Sequence, residues 1–462
     1  MSKRTGIKRS KLGRTLSVSL AGLRAGGAFA LDGAVKKLRG TEGEPLSSPF
    51  VRREAHRFVA ELGRLKGTYV KIGQMLALLG EHFLPPVLTE ALHQLESQTQ
   101  PLPYADIESE LRSVLGDRMD ELQIEHQAIA AASLSQVHRA KIIATGEQIC
   151  LKVQYPGLAE VIDSDFDTVV NMLILARWVK AGRDLDEWLA AMREQLHQEI
   201  DYHREAEMGD KVSGFATDTD STLGRYRVTY HVPRRYPRYC CGTVLAMEYV
   251  SGHLVTQPEV AGLSQARRNA LGSAMLELFF NELYQWGVLQ TDPNFGNYLI
   301  RSSERSDDIV LLDFGSILSC DDNFLLHLGN TIAAGQSGDR TLLVASLIGL
   351  GCLQEHNSEL AKNSFSDFCL ELLEPLRAPE DLPSQYLNDK GQYCWGSSRL
   401  IRRVGKKAAA SAATLDFTAP SREFAMIARK LTGVFTFISV LNAEFNGHDI
   451  AHRHIEQWRQ GQ

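Results

Sequence analysis

The chain has 462 residues, room for two or three domains or for one two-lobed body with an extension. Its 44% hydrophobic and 23% charged residues describe a folded protein with ample core material, and the net charge of −6 argues against a general nucleic-acid binder. No stretch reaches the roughly twenty apolar residues of a membrane span; Ser17 to Leu31 is shorter, and Arg24 interrupts it.

The first forty residues are basic, with ten Lys and Arg side chains from Lys3 to Arg39 opposed only by Asp32. Such a segment suits an anionic lipid surface, an acidic partner or an organelle transit peptide; a frayed leader before a surface helix is the plainer account. Over residues 51–80, Phe58, Leu62, Leu65, Val70, Ile72 and Met75 recur at helical steps, predicting a helix ended by Pro85-Pro86. "QTQPLP" before Tyr104 marks a boundary, and "YADIESELRSVLG" predicts a helix stopping at Gly116. "VHRAKII" and "QICLKVQY" then alternate around Thr145-Gly146, a hairpin signal.

Val161 to Met208 reads as almost continuous helix. Val244–His253 reads as a buried strand leaving through a glycine turn. After it come a long helix from Gln265, the loop "LQTDPNFGNYLI", a short strand, "DIVLLDFGSIL", and a helical remainder broken by Pro and Gly. The order predicts an α+β, two-lobed, protein-kinase-like fold: a basic leader and helical extension (1–105), an N-lobe with a helical insertion (106–252) and a helical C-lobe (253–462). Seven cysteines without a C-x-x-C pair read as reduced, mostly buried thiols of a cytosolic-type compartment.

Phosphoryl transfer asks a protein to position phosphates, hold divalent ions and set a cation on the nucleotide. Asp292 and Asn297 stand five apart, the spacing of a kinase catalytic Asp and its metal-binding Asn, although Gln290 and Thr291 replace the usual His-Arg. Asp313 opens a D-F-G sixteen residues after Asn297, room for a short hairpin between them. These three side chains form an oxygen-ligand set suited to a hard cation. Lys152 lies mid-strand in "CLKVQ", where a strand-three lysine would reach the phosphates; alone, such a lysine usually faces solvent. "QEIDYHREAE" offers Glu199, Asp201, Glu205 and Glu207 as its acidic partner. On one helix Asp201 and Glu205 would share a face and Glu199 would point away. Backbone around Met247 and Tyr249 fits an adenine-facing hinge, or an ordinary apolar strand.

Together these residues resemble the UbiB/ADCK atypical kinase family, whose members support coenzyme Q biosynthesis. "KIGQ" (Lys71, Gly73, Gln74) is similar to its K-x-G-Q signature, and "AAAS" (Ala130, Ala131, Ala132, Ser133) to the alanine-rich loop that replaces a glycine-rich one. "EID" (Glu199, Asp201) is similar to its E-x-D signature, with Glu205 at the place of the Lys152 partner. The resemblance implies ATP or ADP and Mg²⁺ as ligands, with Asp292, Lys152 and Glu205 catalytic and Asn297 and Asp313 on the metal. It also implies that Lys71, Gly73, Gln74, Glu199 and Asp201 gate the site, the helical extension covering it where a peptide substrate would otherwise lie. Ser135 departs from the family's usual glycine. After Asp313 there is no long activation segment and no A-P-E, so a protein-substrate platform is missing.

Three functions follow from this reading. The first is an ATP- and Mg²⁺-dependent atypical kinase or ATPase supporting coenzyme Q (ubiquinone) biosynthesis, by nucleotide-driven handling of lipid intermediates at a membrane. The second is a conventional phosphotransferase on a protein or small-molecule hydroxyl, and the third a non-catalytic nucleotide-regulated scaffold. The implied partners are a nucleotide, isoprenoid quinone precursors or membrane lipid, and coenzyme Q biosynthesis proteins, with a homodimer left open and no nucleic acid. The expected location is cytoplasmic, peripheral at the inner face of the membrane; mitochondrial is the alternative.

Overall fold

The computed structural model describes residues 49–65, 67–79, 84, 86–92, 95, 101–175, 183–304, 306–412, 414 and 420–461. The basic leader, Pro85 and the start of the "QTQPLP" boundary lie outside these. The chain divides into two compact units: the first ends at Ala206 and regains Arg234–Tyr249, and the second comprises Glu207–Pro233 and Val250–Gln462.

In the first unit, α1 (Pro49–Leu65) and α2 (Thr68–Leu79) replace the single helix expected over 51–80. Gly67 breaks it with φ +61°, a left-handed conformation that glycine adopts without a Cβ clash. Helices α3 (Pro86–Leu92), α5 (Leu158–Leu175) and α6 (Arg183–Glu199) complete one apolar cluster around Phe58, Leu62, Ile72, Leu88 and Phe166. Inside it, the Thr68 hydroxyl donates to buried Asp165 at 2.6 Å, joining α2 to α5.

Helix α4 (Tyr104–Leu115) stops at Gly116, φ +55°. It packs on a sheet of order β1-β2-β3-β6: β1 (Leu122–Ala131), β2 (Ser135–Ile142), β3 (Gln148–Gln154) and β6 (Val244–Glu248), all antiparallel. The β2–β3 hairpin matches its turn signal. Strand β1 was not legible, because its register shifts twice, near Ile124–Ala128 and Ala128–Ala130, and so breaks the alternation. The strand expected over Val244–His253 ends at Glu248, and His253 makes only an isolated bridge to Ile300.

The continuous helix expected over Val161–Met208 is three helices, α5, α6 and α7 (Tyr202–Thr217). Asp201 sits in the break, and its carboxylate accepts the backbone N–H of His203 and of Arg204, both at 3.1 Å. An Asp that caps a new helix satisfies its open first turn, so the facing argument built on one helix fails.

The second unit centres on α8 (Gln265–Tyr284), buried on nearly every side from Ala270 onward as a core helix must be. Around it lie α9 (Asp322–Ser337), α10 (Arg340–Gly349), α11 (Glu359–Leu372), α12 (Leu400–Ala412), α13 (Arg422–Val440) and α14 (His448–Gly461). A second sheet was not anticipated: β4 (Asp220–Leu223), β5 (Tyr226–His231), β8 (Tyr298–Ser302) and β9 (Asp307–Leu311), in the order β4-β5-β9-β8. Its signal was present in "TLGRYRVTYH", where Gly224 at φ +63° opens a two-residue turn. A short pair, β7 (Leu289–Gln290) with β10 (Ile317–Leu318), closes the loop region. None of the seven cysteines is joined in a disulfide; Cys150, Cys352 and Cys369 are buried and the other four half-buried, so most are not buried as expected. No helix among the described residues is long and apolar enough to cross a membrane.

Candidate nucleotide and metal site

Strand β3 runs mid-sheet, with Lys152 opposite Val137 on β2 and Leu245 on β6. Its alternate residues Ile149, Leu151 and Val153 are fully buried, which turns Lys152 to the other face. There its Nζ lies 2.5 Å from Glu205 Oε1, the lysine side chain 15% and the carboxylate 2% exposed. Glu205 comes from the first turn of α7, which Asp201 starts, and Tyr202 of the same turn lies with its ring centroid 5.3 Å from the ammonium. The pair is held in a low-dielectric setting where its orientation is well determined.

Glu199 pairs with a different lysine. It ends α6, and its Oε2 lies 2.5 Å from Lys71 Nζ of α2, with both side chains less than a fifth exposed. Gln74 donates to the Leu95 carbonyl at 3.1 Å, and a Cβ on Gly73 would come 2.3 Å from Leu95 Cδ1. The K-x-G-Q helix is thus tied by its Lys to the E-x-D Glu, while the E-x-D Asp caps the helix that carries Glu205.

Ala130 and Ala131 end β1, opposite Val137 and Gln136, and Ala132 and Ser133 make the tight turn into β2. The Ala132 N–H donates to the Ser135 carbonyl at 2.8 Å, and its own carbonyl accepts from the Tyr155 hydroxyl at 3.1 Å. None of these four has positive φ, so the turn requires no glycine. Met247 stands opposite Cys150 on β3; the Tyr249 hydroxyl accepts from the Arg139 guanidinium, whose Cζ is 4.0 Å from the ring centroid.

In the second unit, Asn297 Nδ2 donates to Asp292 Oδ2 at 3.1 Å, and the Asn294 N–H reaches Asp292 Oδ1 at 3.3 Å. The Asn297 carbonyl accepts from Leu312 N–H at 3.0 Å, and the Asp313 carboxylate accepts the Gly315 N–H at 2.9 Å. Strands β8 and β9 form the hairpin that joins Asn297 to Asp313. The Thr291 N–H donates to the Ser316 carbonyl at 2.9 Å, tying the two loops at their other ends. An amide oxygen and a carboxylate are hard donors of the kind Mg²⁺ takes.

Two cations on α13 escaped the sequence reading. The Arg429 guanidinium lies 3.5 Å from Asp292 Oδ1, and buried Lys430 lies under the loop. Neither carries a local motif; an Arg-Lys pair in an amphipathic helix is ordinarily solvated, and only the fold turns it inward.

The ABC1 atypical kinase-like domain family matches residues 94–347, more than half of the chain. Curated relatives include the mitochondrial atypical kinase coq-8 of Caenorhabditis elegans, 26% identical over 90% of this chain and 53% of that protein. The Saccharomyces cerevisiae atypical kinase COQ8 is 28% identical over 70% and 63%, and rat COQ8B is 28% identical over 87% and 72%. The chain thus spans between about half and two-thirds of the length of the first two. Among solved structures, the Mycobacterium tuberculosis Rv3197–erythromycin complex superposes with TM-score 0.57 at 22% identity, covering 87% of this chain and 95% of that one, a likeness of fold. With the motif order and the domain match agreeing, the chain belongs to the ABC1 (UbiB/ADCK) atypical kinase-like family.

Proposed function

We propose that this chain is an ATP- and Mg²⁺-binding atypical kinase or ATPase that supports coenzyme Q biosynthesis by handling lipid intermediates at a membrane. The observation that carries the reading is the Lys152–Glu205 pair at 2.5 Å, an ammonium oriented in the manner of a nucleotide-binding kinase lysine. Lys152 meets the phosphates, and Glu205 holds it in place. Asn297 and Asp313 would hold Mg²⁺, which supplies charge neutralisation on the phosphate oxygens. Asp292 orients water or takes the proton of an acceptor hydroxyl. Met247 and Tyr249 frame the base, and Ala130 to Ser133 lie along the phosphates.

Lys71, Gly73, Gln74, Glu199 and Asp201 are the gating set, with the Lys71–Glu199 pair the latch. The partners proposed are an isoprenoid quinone precursor or membrane lipid and other coenzyme Q biosynthesis proteins, with self-association as a further arm to measure. The mitochondrial names of the relatives favour a peripheral protein at the membrane where quinones are made, in an organelle or at a bacterial inner face.

The test is ATP hydrolysis with Mg²⁺, with and without anionic liposomes and a soluble quinone-precursor mimic. Turnover stimulated by lipid and abolished in Asp313→Asn is the expected result. Transfer to a generic protein without a lipid response sinks the reading, and nucleotide binding without turnover under every condition favours a scaffold.

A further inference from the structure

Lys430 is 1% exposed, with two hydrogen-bond acceptors and one carboxylate around its ammonium. Its Nζ donates to Gln290 Oε1 at 2.8 Å and to the Tyr298 hydroxyl at 2.6 Å, and lies 3.4 Å from Glu282 Oε2 of α8. The Tyr298 hydroxyl in turn donates to Gln290 Oε1 at 3.1 Å, closing a ring. Glu282, Gln290 and Tyr298 are themselves buried. Gln290 and Tyr298 bracket the loop: one comes just before Thr291-Asp292, the other just after Asn297.

The same helix face touches the loop at three further points. Arg429 reaches Asp292, and a Cβ on Gly433 would lie 2.1 Å from the Pro293 Cβ. Phe437 packs edge-on against Phe295 and Tyr298, at 5.9 and 6.0 Å between ring centroids. Positions 429, 430, 433 and 437 recur at helical spacing, so one rigid helix carries all four contacts. A buried ion pair is seldom stabilising relative to apolar side chains of similar volume. What this one adds is direction, since two of its donors are committed to Gln290 and Tyr298, one at each end of the loop.

We propose that Lys430 is a positioning residue for the Asp292–Asn297 loop: anchored by Glu282, its ammonium clamps Gln290 and Tyr298, the two ends of that loop. The proposal rests on the reading of Asp292 as a group of the reaction. Losing the clamp leaves the nucleotide contacts of Lys152 in place but lets Asp292 depart from its working geometry. Turnover therefore falls while nucleotide affinity holds.

The full-length chain is compared with Lys430→Met/Glu282→Gln, which removes both buried charges, with Lys430→Arg, and with Asp292→Asn. Mg-ATP turnover, ATP affinity, melting temperature and amide hydrogen exchange over residues 289–298 are measured on each. The double variant should melt within about 5 °C of the parent, lose about 10- to 100-fold in kcat and shift ATP Kd by less than about threefold. Its loop amides should exchange about tenfold faster or more, a readout that stands without turnover. Lys430→Arg, which keeps a buried cation, should recover part of the kcat and of the protection. Parental exchange and turnover in the double variant overturn the proposal, as does a kcat that follows melting temperature whatever the charge at 430. Full turnover in Asp292→Asn defeats the reading of Asp292 itself; loss there, with none in the double variant, defeats Lys430 alone.

Discussion

The Arg429 guanidinium meets the Asp292 carboxylate at 3.5 Å although 137 residues separate them. The motif around Asp292 lacks the arginine that usually precedes a kinase catalytic Asp, and α13 brings one to that carboxylate from elsewhere in the chain. Both side chains are 31% exposed, so the pair adds little to stability, about 1 kcal/mol at most. Arg429→Ala should leave the melting temperature nearly unchanged and lower kcat about tenfold, read from steady-state ATP hydrolysis. A large drop in stability with intact turnover would show that the pair is structural.

Lys152 and Glu205 should respond asymmetrically. Lys152→Met deprives a carboxylate 2% exposed of its ammonium, at a cost of about 3 kcal/mol or more. Glu205→Gln keeps the shape and an acceptor oxygen, so its cost should be smaller. Both should weaken ATP binding, measured by titration, and urea unfolding should rank Lys152→Met as the less stable.

Gly433 is needed for close approach of Pro293 rather than for backbone freedom. A methyl there would lie 2.1 Å from the Pro293 Cβ, so helix or loop must move. Gly433→Ala should destabilise by about 1–3 kcal/mol despite the better helix propensity of alanine, and kcat should fall as the loop shifts. Calorimetry and turnover together check this.

Burial pushes the Glu282 carboxyl up from 4.5 to about 7, against the pull of Lys430. For Lys430 burial acts downward, yet Glu282 and Tyr298 outweigh it and keep the ammonium protonated. Below about pH 4.5 the Glu282 carboxyl is protonated whether the chain is folded or not; between there and about pH 7 only the unfolded chain releases the proton. The folded state therefore holds more protons in that window, and this contribution to stability falls as pH rises through it. Above about pH 7 it levels off. Unfolding free energies from about pH 5 to 8 should show the parent losing stability relative to Glu282→Gln until about pH 7, then running parallel.

Spacing within a few residues carried much of the architecture. The Thr145-Gly146 hairpin, the helix stop at Gly116 and the Asp292–Asn297 interval each depend on neighbours close in sequence. Errors arose where a local device overrode a pattern. Gly67 and Asp201 each end one helix and start another inside an apolar period that runs on unchanged. The shifts in β1 hide a strand, and the second sheet was missed because its β4–β5 signal was short. Lys71, Glu199 and Glu205 were singled out by family resemblance; helical facing grouped Glu205 with Asp201, which caps the helix instead.

The sequence by itself determined the order of the motifs, the family they belong to and the residue types available for phosphate and metal. Tertiary structure decided which charges meet. Glu205 meets Lys152 from a new helix that Asp201 caps, and Glu199, at the end of the helix before it, meets Lys71. Arg429 and Lys430 join the Asp292 loop because α13 packs one face against it. Hydrogen bonds and ion pairs act over about 3 Å of space and take no account of distance along the chain. Partners 53, 132 and 137 residues apart can therefore be identified only once the core has brought their helices and strands together.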